Sequence, residues 1–148
     1  MYDFIEGILV EKTPAFVVLN NNGIGYHINI SLFTFSSLPD SGNAKLYIYN
    51  VVREDANILY GFETKREREI FRQLISVSGI GANTARVILS SLNPDEVVQS
   101  IIQAEVSVLQ GIKGIGGKTA QRIIVDLKDK IGKGVDSGEI FGEERNTI

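Results

Sequence analysis

The chain has 148 residues, 43% of them hydrophobic, with 15 basic and 18 acidic side chains and a formal net charge of −3. That length accommodates one domain or two small ones with separate cores. The absence of cysteine excludes a disulfide scaffold, thiolate-bound zinc and a cysteine nucleophile, and it fits a reducing cytoplasm.

The opening MYDFIEGILVEK lacks the basic head and long apolar run of a signal peptide. No stretch approaches a membrane span, so a soluble, cytoplasmic protein is expected. Residues 1–62 then read as strands. FIEGILVEK, AFVVLN, GYHINI, AKLYIYNVV and ANILYGF are rich in β-branched and aromatic residues and are separated by Gly, Asn, Pro and Asp. NNNG at 20–23 signals a hairpin, because Asn and Gly accept positive φ at little cost. Five or six short strands in this space predict a small closed or half-closed barrel. An OB-fold is the commonest of that size. An SH3-like barrel competes, and periodicity alone does not separate the two.

At Glu63 the hydrophobic period changes from two to that of a helix. Thr64 and Glu67 have the spacing of a capping box, and Ile70, Phe71, Leu74 and Ile75 form one apolar face. Asn93-Pro94-Asp95-Glu96 is a second start signal: a cap, a proline at the first helical position, then acids on the positive helix end. Val97, Val98, Ile101 and Ile102 follow, and further on Ala120, Ile123, Ile124, Leu127 and Ile131 supply another stripe. Residues 63–133 are therefore expected to be all-helical, with four to five short helices. Residues 134–148 are Gly-rich, acidic and weakly patterned, which predicts a flexible linker or tail.

Charge is unevenly placed. Residues 1–62 carry 3 basic and 6 acidic side chains, whereas 63–133 carry 11 basic and 8 acidic. The positive excess coincides with an internal repeat. VSGIGANTAR at 77–86 returns 35 positions later in IKGIGGKTAQR at 112–122. Over 75–92 and 110–127 the two copies share seven residues of 18, among them Gly79/Gly114, Ile80/Ile115, Gly81/Gly116, Thr84/Thr119 and Ala85/Ala120.

Each copy has the form helix, apolar residue, Gly-Ile-Gly, helix. The first glycine can end the incoming helix in the left-handed conformation, and the isoleucine can plug between the helices. The second glycine removes a side chain where the backbone must approach something closely. Backbone N–H groups opening the outgoing helix then suit a phosphate oxygen. A single copy reads equally well as a tight helix–helix connection; two copies in register favour phosphate binding. The candidate contacts are Gly79, Ile80, Gly81, Ala82, Asn83 and Thr84 in the first turn. In the second they are Gly114, Ile115, Gly116, Gly117, Lys118 and Thr119, with Arg122 one helical turn beyond Lys118. Taken alone, Lys118 and Arg122 are an ordinary solvated helix face. Where the second copy has Gly117-Lys118 the first has Ala82-Asn83, so its contacts are expected to rest more on backbone.

Two nucleotide motifs fail. GIGGKT resembles the end of a P-loop, but glycine is required at 112, which is Ile112, and no strand precedes it. A dinucleotide fingerprint from Gly114 needs glycine where Thr119 stands. No cofactor or metal is expected. The lone histidine, His27, reads as a strand residue, and Asp126, Asp129 and Lys130 as a solvated helix face. Tyr26, Tyr47 and Tyr49 have the chemistry to stack bases, but their alternation fits half-buried strands better and the region is acidic.

The repeated element resembles the helix-hairpin-helix, a motif that implies DNA backbone binding without sequence preference. The order barrel, VVREDANILYGF at 51–62, paired hairpins, then IIVDLKDKI resembles the RuvA family of bacterial Holliday junction-binding proteins, from Tyr2 to about Lys133. The resemblance implies an OB-fold-like barrel over 1–62 used for tetramerisation, and a tandem helix-hairpin-helix domain over 63–133. It implies a fourfold homotetramer, single or doubled face to face into an octamer, that holds a four-way junction open and flat. It also implies the ATPase RuvB and the resolvase RuvC as partners. Glu54 and Asp55, adjacent between two strand-like runs, read as a hairpin apex; in the family the corresponding acids form a pin near the fourfold axis. The family's third helical domain, which recruits RuvB, has no counterpart before Ile148, so a junction binder without that domain is expected.

An enzyme remains the competing class. Some DNA glycosylase-lyases carry a similar hairpin followed by Lys-Thr-Ala, with a Schiff-base lysine where Lys118 stands. That chemistry needs a pocket for an extruded base and a carboxylate across a cleft, for which this chain has little room. No catalytic residue is therefore assigned. A generic tandem-hairpin scaffold is the third reading, separated by whether junctions are preferred over duplex.

Overall fold

In the computed structural model, residues 2–137 are described. They fall in two compact units, one ending at Arg68 and one starting at Glu69.

The first unit contains β1 (Phe4–Lys12), β2 (Phe16–Asn21), β3 (Ile24–Ile30), α1 (Leu32–Ser37), β4 (Asn43–Arg53) and β5 (Ala56–Phe62). The strands close into a barrel in the order β1-β2-β3-β5-β4. Every neighbouring pair is antiparallel except β3 with β5, where Ile28, Asn29 and Ile30 face Leu59, Tyr60 and Gly61 in parallel. This order, with a helix between β3 and β4, is the OB arrangement and decides against the SH3-like one.

Alternation explains the closure. Val17 and Leu19, Ile28 and Ile30, and Leu46 and Ile48 point inward and are almost wholly buried. Burying each is worth roughly 1.5–3 kcal/mol relative to leaving it exposed. The expected hairpin forms between β2 and β3: Asn21 pairs with Ile24, while Asn22 and Gly23 take φ of 53° and 89°. Two positive φ values in a two-residue loop match the right-handed strand twist. The Asn20 side-chain oxygen accepts from Gly23 N–H at 2.8 Å and secures the loop.

Helix α1 was not among the expected elements, being too short for a period to show. Its start signal is Ser31, whose hydroxyl accepts from Thr34 N–H at 3.1 Å. The helix matters because of what it holds. Ser31 and Thr34 both donate side-chain hydrogen bonds to the carboxylate of Glu67, and all three residues are fully buried. Burial pushes the Glu67 carboxyl up from 4.5 to about 7; the two hydroxyls pull it back and the charge of Glu63 pushes it further up.

This corrects the capping box expected at Thr64. Thr64 accepts from Glu67 N–H at 3.1 Å, as a cap should. The reciprocal half is absent, because the Glu67 side chain is committed to α1 instead. Arg68 adds a second tie within this unit, donating to the backbone oxygens of Asp3 and Ile48 at 2.9 and 3.3 Å and pairing with the Asp3 carboxylate at 3.1 Å.

Helix α2 (Lys65–Ile75) crosses the boundary between the units. It is followed by α3 (Ala82–Ser91), α4 (Pro94–Ile102), α5 (Val106–Gln110) and α6 (Gly117–Ser137). Phe71, Leu74, Ile88, Leu89, Ile101 and Leu109 form the buried centre, with Val97, Ile123 and Leu127. The second start signal forms a complete capping box: Asn93 accepts from Glu96 N–H at 2.8 Å, and Glu96 accepts from Asn93 N–H at 2.9 Å. Between α4 and α5, Ala104 adopts a φ of 53° while Glu105 N–H reaches back to the Ser100 carbonyl at 2.8 Å.

Helix α6 continues through Ser137, so residues 134–137, expected to begin the linker, are helical. The remainder of that expected linker, 138–148, lies outside the described residues.

Candidate nucleic-acid interface

The two glycine turns join α2 to α3 and α5 to α6, and their backbone hydrogen bonds repeat bond for bond. Val77 N–H donates to Leu74 at 3.1 Å, and Ile112 N–H to Leu109 at 3.1 Å. Ile80 N–H donates to Val77 at 3.1 Å, and Ile115 N–H to Ile112 at 3.0 Å. Ala85 N–H donates to Gly81 at 3.0 Å, and Ala120 N–H to Gly116 at 2.9 Å. Val77, Ile80 and Ala85 are buried, as are Ile112, Ile115 and Ala120. The isoleucine of each Gly-Ile-Gly is the apolar plug its position implied.

Gly79 and Gly114 are left-handed, with φ of 93° and 88°. They do not end the incoming helices, as the sequence had implied. Those stop at Ile75 and Gln110, and the glycines lie farther on, inside the turn. A side chain there would be strained by backbone conformation alone.

Gly81 and Gly116 are different. Gly81 has a φ of −89° and ψ of 175°, which any residue adopts. Nothing lies within 4 Å of where a Cβ would stand at either position. Intramolecular packing gives no reason for glycine at these two sites. Both are exposed, and α3 begins with no side-chain cap on its first-turn N–H groups. Ala82, Asn83 and Thr84 supply those N–H groups in α3, and Gly117, Lys118 and Thr119 occupy the same places in α6. Such a terminus presents backbone donors and a partial positive charge to an anion.

Side chains differ between the turns. Lys118 and Arg122 are exposed on α6, and Lys113 is exposed in the turn itself beside Gly114. Lys113 escaped the sequence reading although its place in the repeat was visible; Ser78 is its counterpart. In the first turn the basic residue is Arg86, whose Nε and Nη2 donate to the Asn83 side-chain oxygen at 3.3 and 3.0 Å.

The remaining candidates are not gathered into a site. Glu54 and Asp55 form the two-residue loop of the β4–β5 hairpin, beyond the last pair, Arg53 with Ala56, and both are exposed. His27 is exposed and stacked on Phe16 at 4.3 Å. Tyr26 packs edge-on against Tyr2, and Tyr47 lies among Lys45, Lys65 and Arg68 at 5.3, 5.6 and 5.5 Å. Tyr26, Tyr47 and Tyr49 are each half-buried. Among the described residues no group of three or more His, Cys, Asp or Glu is placed to hold a metal ion, and no helix is long and apolar enough to cross a membrane.

A closed OB barrel followed by two matched glycine turns between helices defines a barrel-plus-tandem helix-hairpin-helix protein. Comparison with known families agrees segment by segment: the RuvA N-terminal domain matches residues 1–61, and the SAM-like helix-hairpin-helix tandem matches residues 71–129. The chain belongs to the RuvA family. A relative from Christiangramia forsetii is 54% identical over 147 residues, covering 99% of this chain and 76% of its own length. One from Bacteroides fragilis is 53% identical over 142 residues, covering 96% and 71%. One from Cytophaga hutchinsonii is 47% identical over 153 residues, covering 100% and 77%. Each of these relatives is named Holliday junction branch migration complex subunit RuvA.

Proposed function

We propose that this chain is the junction-binding subunit of a branch migration complex. It grips the arms of a four-way DNA junction through backbone phosphates at both hairpins and holds the junction open while a partner ATPase moves the arms. It carries no chemistry of its own. The observation that carries this reading is the pair Gly81 and Gly116, glycines that nothing inside the molecule requires, each exposed and each directly before the start of a helix. A phosphate approaching the backbone supplies the missing reason.

Within this reading Gly79 to Thr84 and Gly114 to Thr119 form the two phosphate cradles, and Lys118 and Arg122, with Lys113, add charge to the second. Glu54 and Asp55 project as an acidic pin between separating strands. The working form is a homotetramer in the cytoplasm, with RuvB as the motor and RuvC as the resolvase. The relatives' shared name supports junction and complex; the motor, the resolvase and the fourfold assembly rest on the family resemblance.

Phosphate contacts carry no sequence information, so binding is expected to follow DNA shape and salt and not base sequence. The test is a gel shift comparing a four-way junction with a duplex of the same arm sequence, alongside a mass measurement of the free protein. Preferential retention of the junction by a tetramer is the expected result. Equal affinity for both substrates defeats the proposal.

A further inference from the structure

Residues 20–22 are consecutive asparagines, and Asn22 is followed by Gly23, the one Asn-Gly step in the sequence. The fold gives the three side chains different surroundings. Asn20 accepts from the Gly23 N–H at 2.8 Å, and Asn21 donates through Nδ2 to the Glu6 carbonyl at 2.7 Å. Asn22 is exposed at the apex, and its side chain makes no hydrogen bond among the described residues. We propose that Asn22 is a site of spontaneous deamidation and that the Asn20 side chain restrains the reaction.

The chemistry needs only this dipeptide and water. The Gly23 backbone nitrogen gives up its proton and attacks Cγ of Asn22. A bond forms between that nitrogen and Cγ, the Cγ–Nδ2 bond breaks, and the side-chain amide takes up one proton and leaves as ammonia. The product is a five-membered succinimide. Water then opens the ring. Cleavage between Cγ and the Gly23 nitrogen leaves aspartate; cleavage between the Asn22 backbone carbonyl carbon and that nitrogen leaves isoaspartate, in which the chain runs through the former side chain. Glycine favours the attack because no Cβ crowds the nitrogen, and nothing lies within 4 Å of where one would stand at Gly23. Asn22 and Gly23 are both exposed, so base and water reach the apex.

Two features of the folded turn oppose the reaction. The nitrogen must lose a proton, and that N–H is held by Asn20 Oδ1. Ring closure also requires rotation about the Asn22 Cα–C bond to bring the nitrogen toward Cγ. Asn22 is instead fixed left-handed, at a φ of 53°, between the paired residues Asn21 and Ile24. Of these restraints the Asn20 hydrogen bond is the one that acts on the reacting atom.

Conversion changes charge and shape. Residues 1–62 carry 3 basic and 6 acidic side chains, and either product adds another acid. Aspartate tolerates the left-handed conformation as asparagine does. Isoaspartate inserts an extra backbone carbon into a loop whose length fixes the strand register, so it is the product expected to weaken the barrel.

The test follows residue 22 in the whole chain at mildly alkaline pH, by peptide mapping that separates asparagine, aspartate and isoaspartate. The parent, Asn20→Ala, Asn20→Asp and Asn21→Ala are compared, each folded and in urea. In urea all four should react at closely similar rates, faster at residue 22 than at any other asparagine. Folded, the parent should react more slowly than in urea. Asn20→Ala should raise the folded rate by roughly two- to tenfold, the net worth of one hydrogen bond expressed as a rate. Asn20→Asp keeps an acceptor and should stay near the parental rate. Asn21→Ala loosens the same hairpin without freeing the Gly23 N–H, and it should stay there too. The restraint is overturned if folded Asn20→Ala reacts no faster than the parent, or if Asn21→Ala accelerates the reaction equally. The site itself falls if residue 22 reacts no faster in urea than the other asparagines.

Discussion

Gly81 and Gly116 occupy the same step of two matched turns, and at both the space a side chain would fill is empty to 4 Å. Their neighbours Gly79 and Gly114 are required by a positive φ; these two are not. In the proposed function a substitution at Gly81 or Gly116 is therefore expected to separate folding from binding, which few glycine positions allow.

Replacing either with leucine should leave the melting transition nearly unchanged, since exposed substitutions of this kind shift stability by about 0.5 kcal/mol or a little more. Binding to junction and duplex should fall together. Serine is the sharper variant. At a helix N-cap its hydroxyl caps the first turn and is expected to stabilise the helix by a few tenths of a kcal/mol, roughly the margin separating Ser from Gly there. A Gly81→Ser protein that melts no lower than the parent and binds DNA less well locates the loss at the interface. Normal binding by both the leucine and serine variants at one hairpin makes that hairpin a structural connection only.

Glu67 sets a pH dependence. Its carboxyl titrates near 4.5 when unfolded and at about 7 when folded. Between those values the folded state binds more protons than the unfolded one, so stability falls as pH rises through this window and levels off above it. At about 1.36 kcal/mol per pK unit the cost of the charged form is on the order of 3 kcal/mol. Glu67→Gln, which can accept from one hydroxyl and donate to the other, should raise stability at pH 8 and flatten the profile. Urea unfolding of both proteins at pH 5 and pH 8 checks this. A parent as stable at pH 8 as at pH 5 refutes it.

Ala104 holds the left-handed conformation without being glycine, asparagine or aspartate. A Cβ in that region costs about 1–2 kcal/mol, part of which glycine returns to the unfolded chain as entropy. Ala104→Gly should therefore stabilise the helical unit by about 0.5–1 kcal/mol. It is exposed and lies outside both glycine turns, so DNA affinity should be unaffected. A lower urea midpoint for the variant would contradict this.

In the proposed function the acids at the β4–β5 apex are expected to act by exclusion. Glu54 and Asp55 are exposed in a two-residue loop, and carboxylates there repel phosphates. At about 4 Å, like charges cost about 1 kcal/mol in water and about 4 kcal/mol at an effective dielectric of about 20. In the proposed tetramer that field would penalise a continuous duplex crossing the centre more than strands diverging around the hairpin, so specificity would arise partly from repulsion. Glu54→Gln with Asp55→Asn should strengthen duplex binding and narrow the junction preference at matched salt and equal tetramer content. Unchanged duplex affinity in the double variant removes the pin from the mechanism.

Much of the architecture was legible because local rules and tertiary context agree here. The strands of the barrel follow alternation, the β2–β3 turn follows Asn-Gly chemistry, and α4 starts where Asn93, Pro94 and Glu96 say it should. The duplication announced both glycine turns. What escaped was whatever depends on residues distant in sequence. Glu67 has the spacing of a capping residue relative to Thr64, and local reasoning alone assigns it that role. Only the closure of the barrel brings Ser31 and Thr34 to the same carboxylate, and two buried hydroxyl donors outweigh one backbone N–H at the surface.

The same division runs through the interface. Composition and repetition established by themselves that this chain contains a small β-barrel and two equivalent helix-linking turns, because periodicity and glycine placement are properties of neighbouring residues. The OB strand order could not be read there, since the parallel pairing of Ile28–Ile30 with Leu59–Gly61 joins segments that carry the same alternation as any other strand. The repeat suggested different tasks for its two kinds of glycine, but only the structure could show their conformations. Gly79 and Gly81 both face open space; only the folded backbone shows that the first is demanded by its φ and that the second is not. Backbone conformation is a property of three-dimensional placement, and it separates a glycine that shapes the turn from one that the turn itself does not require.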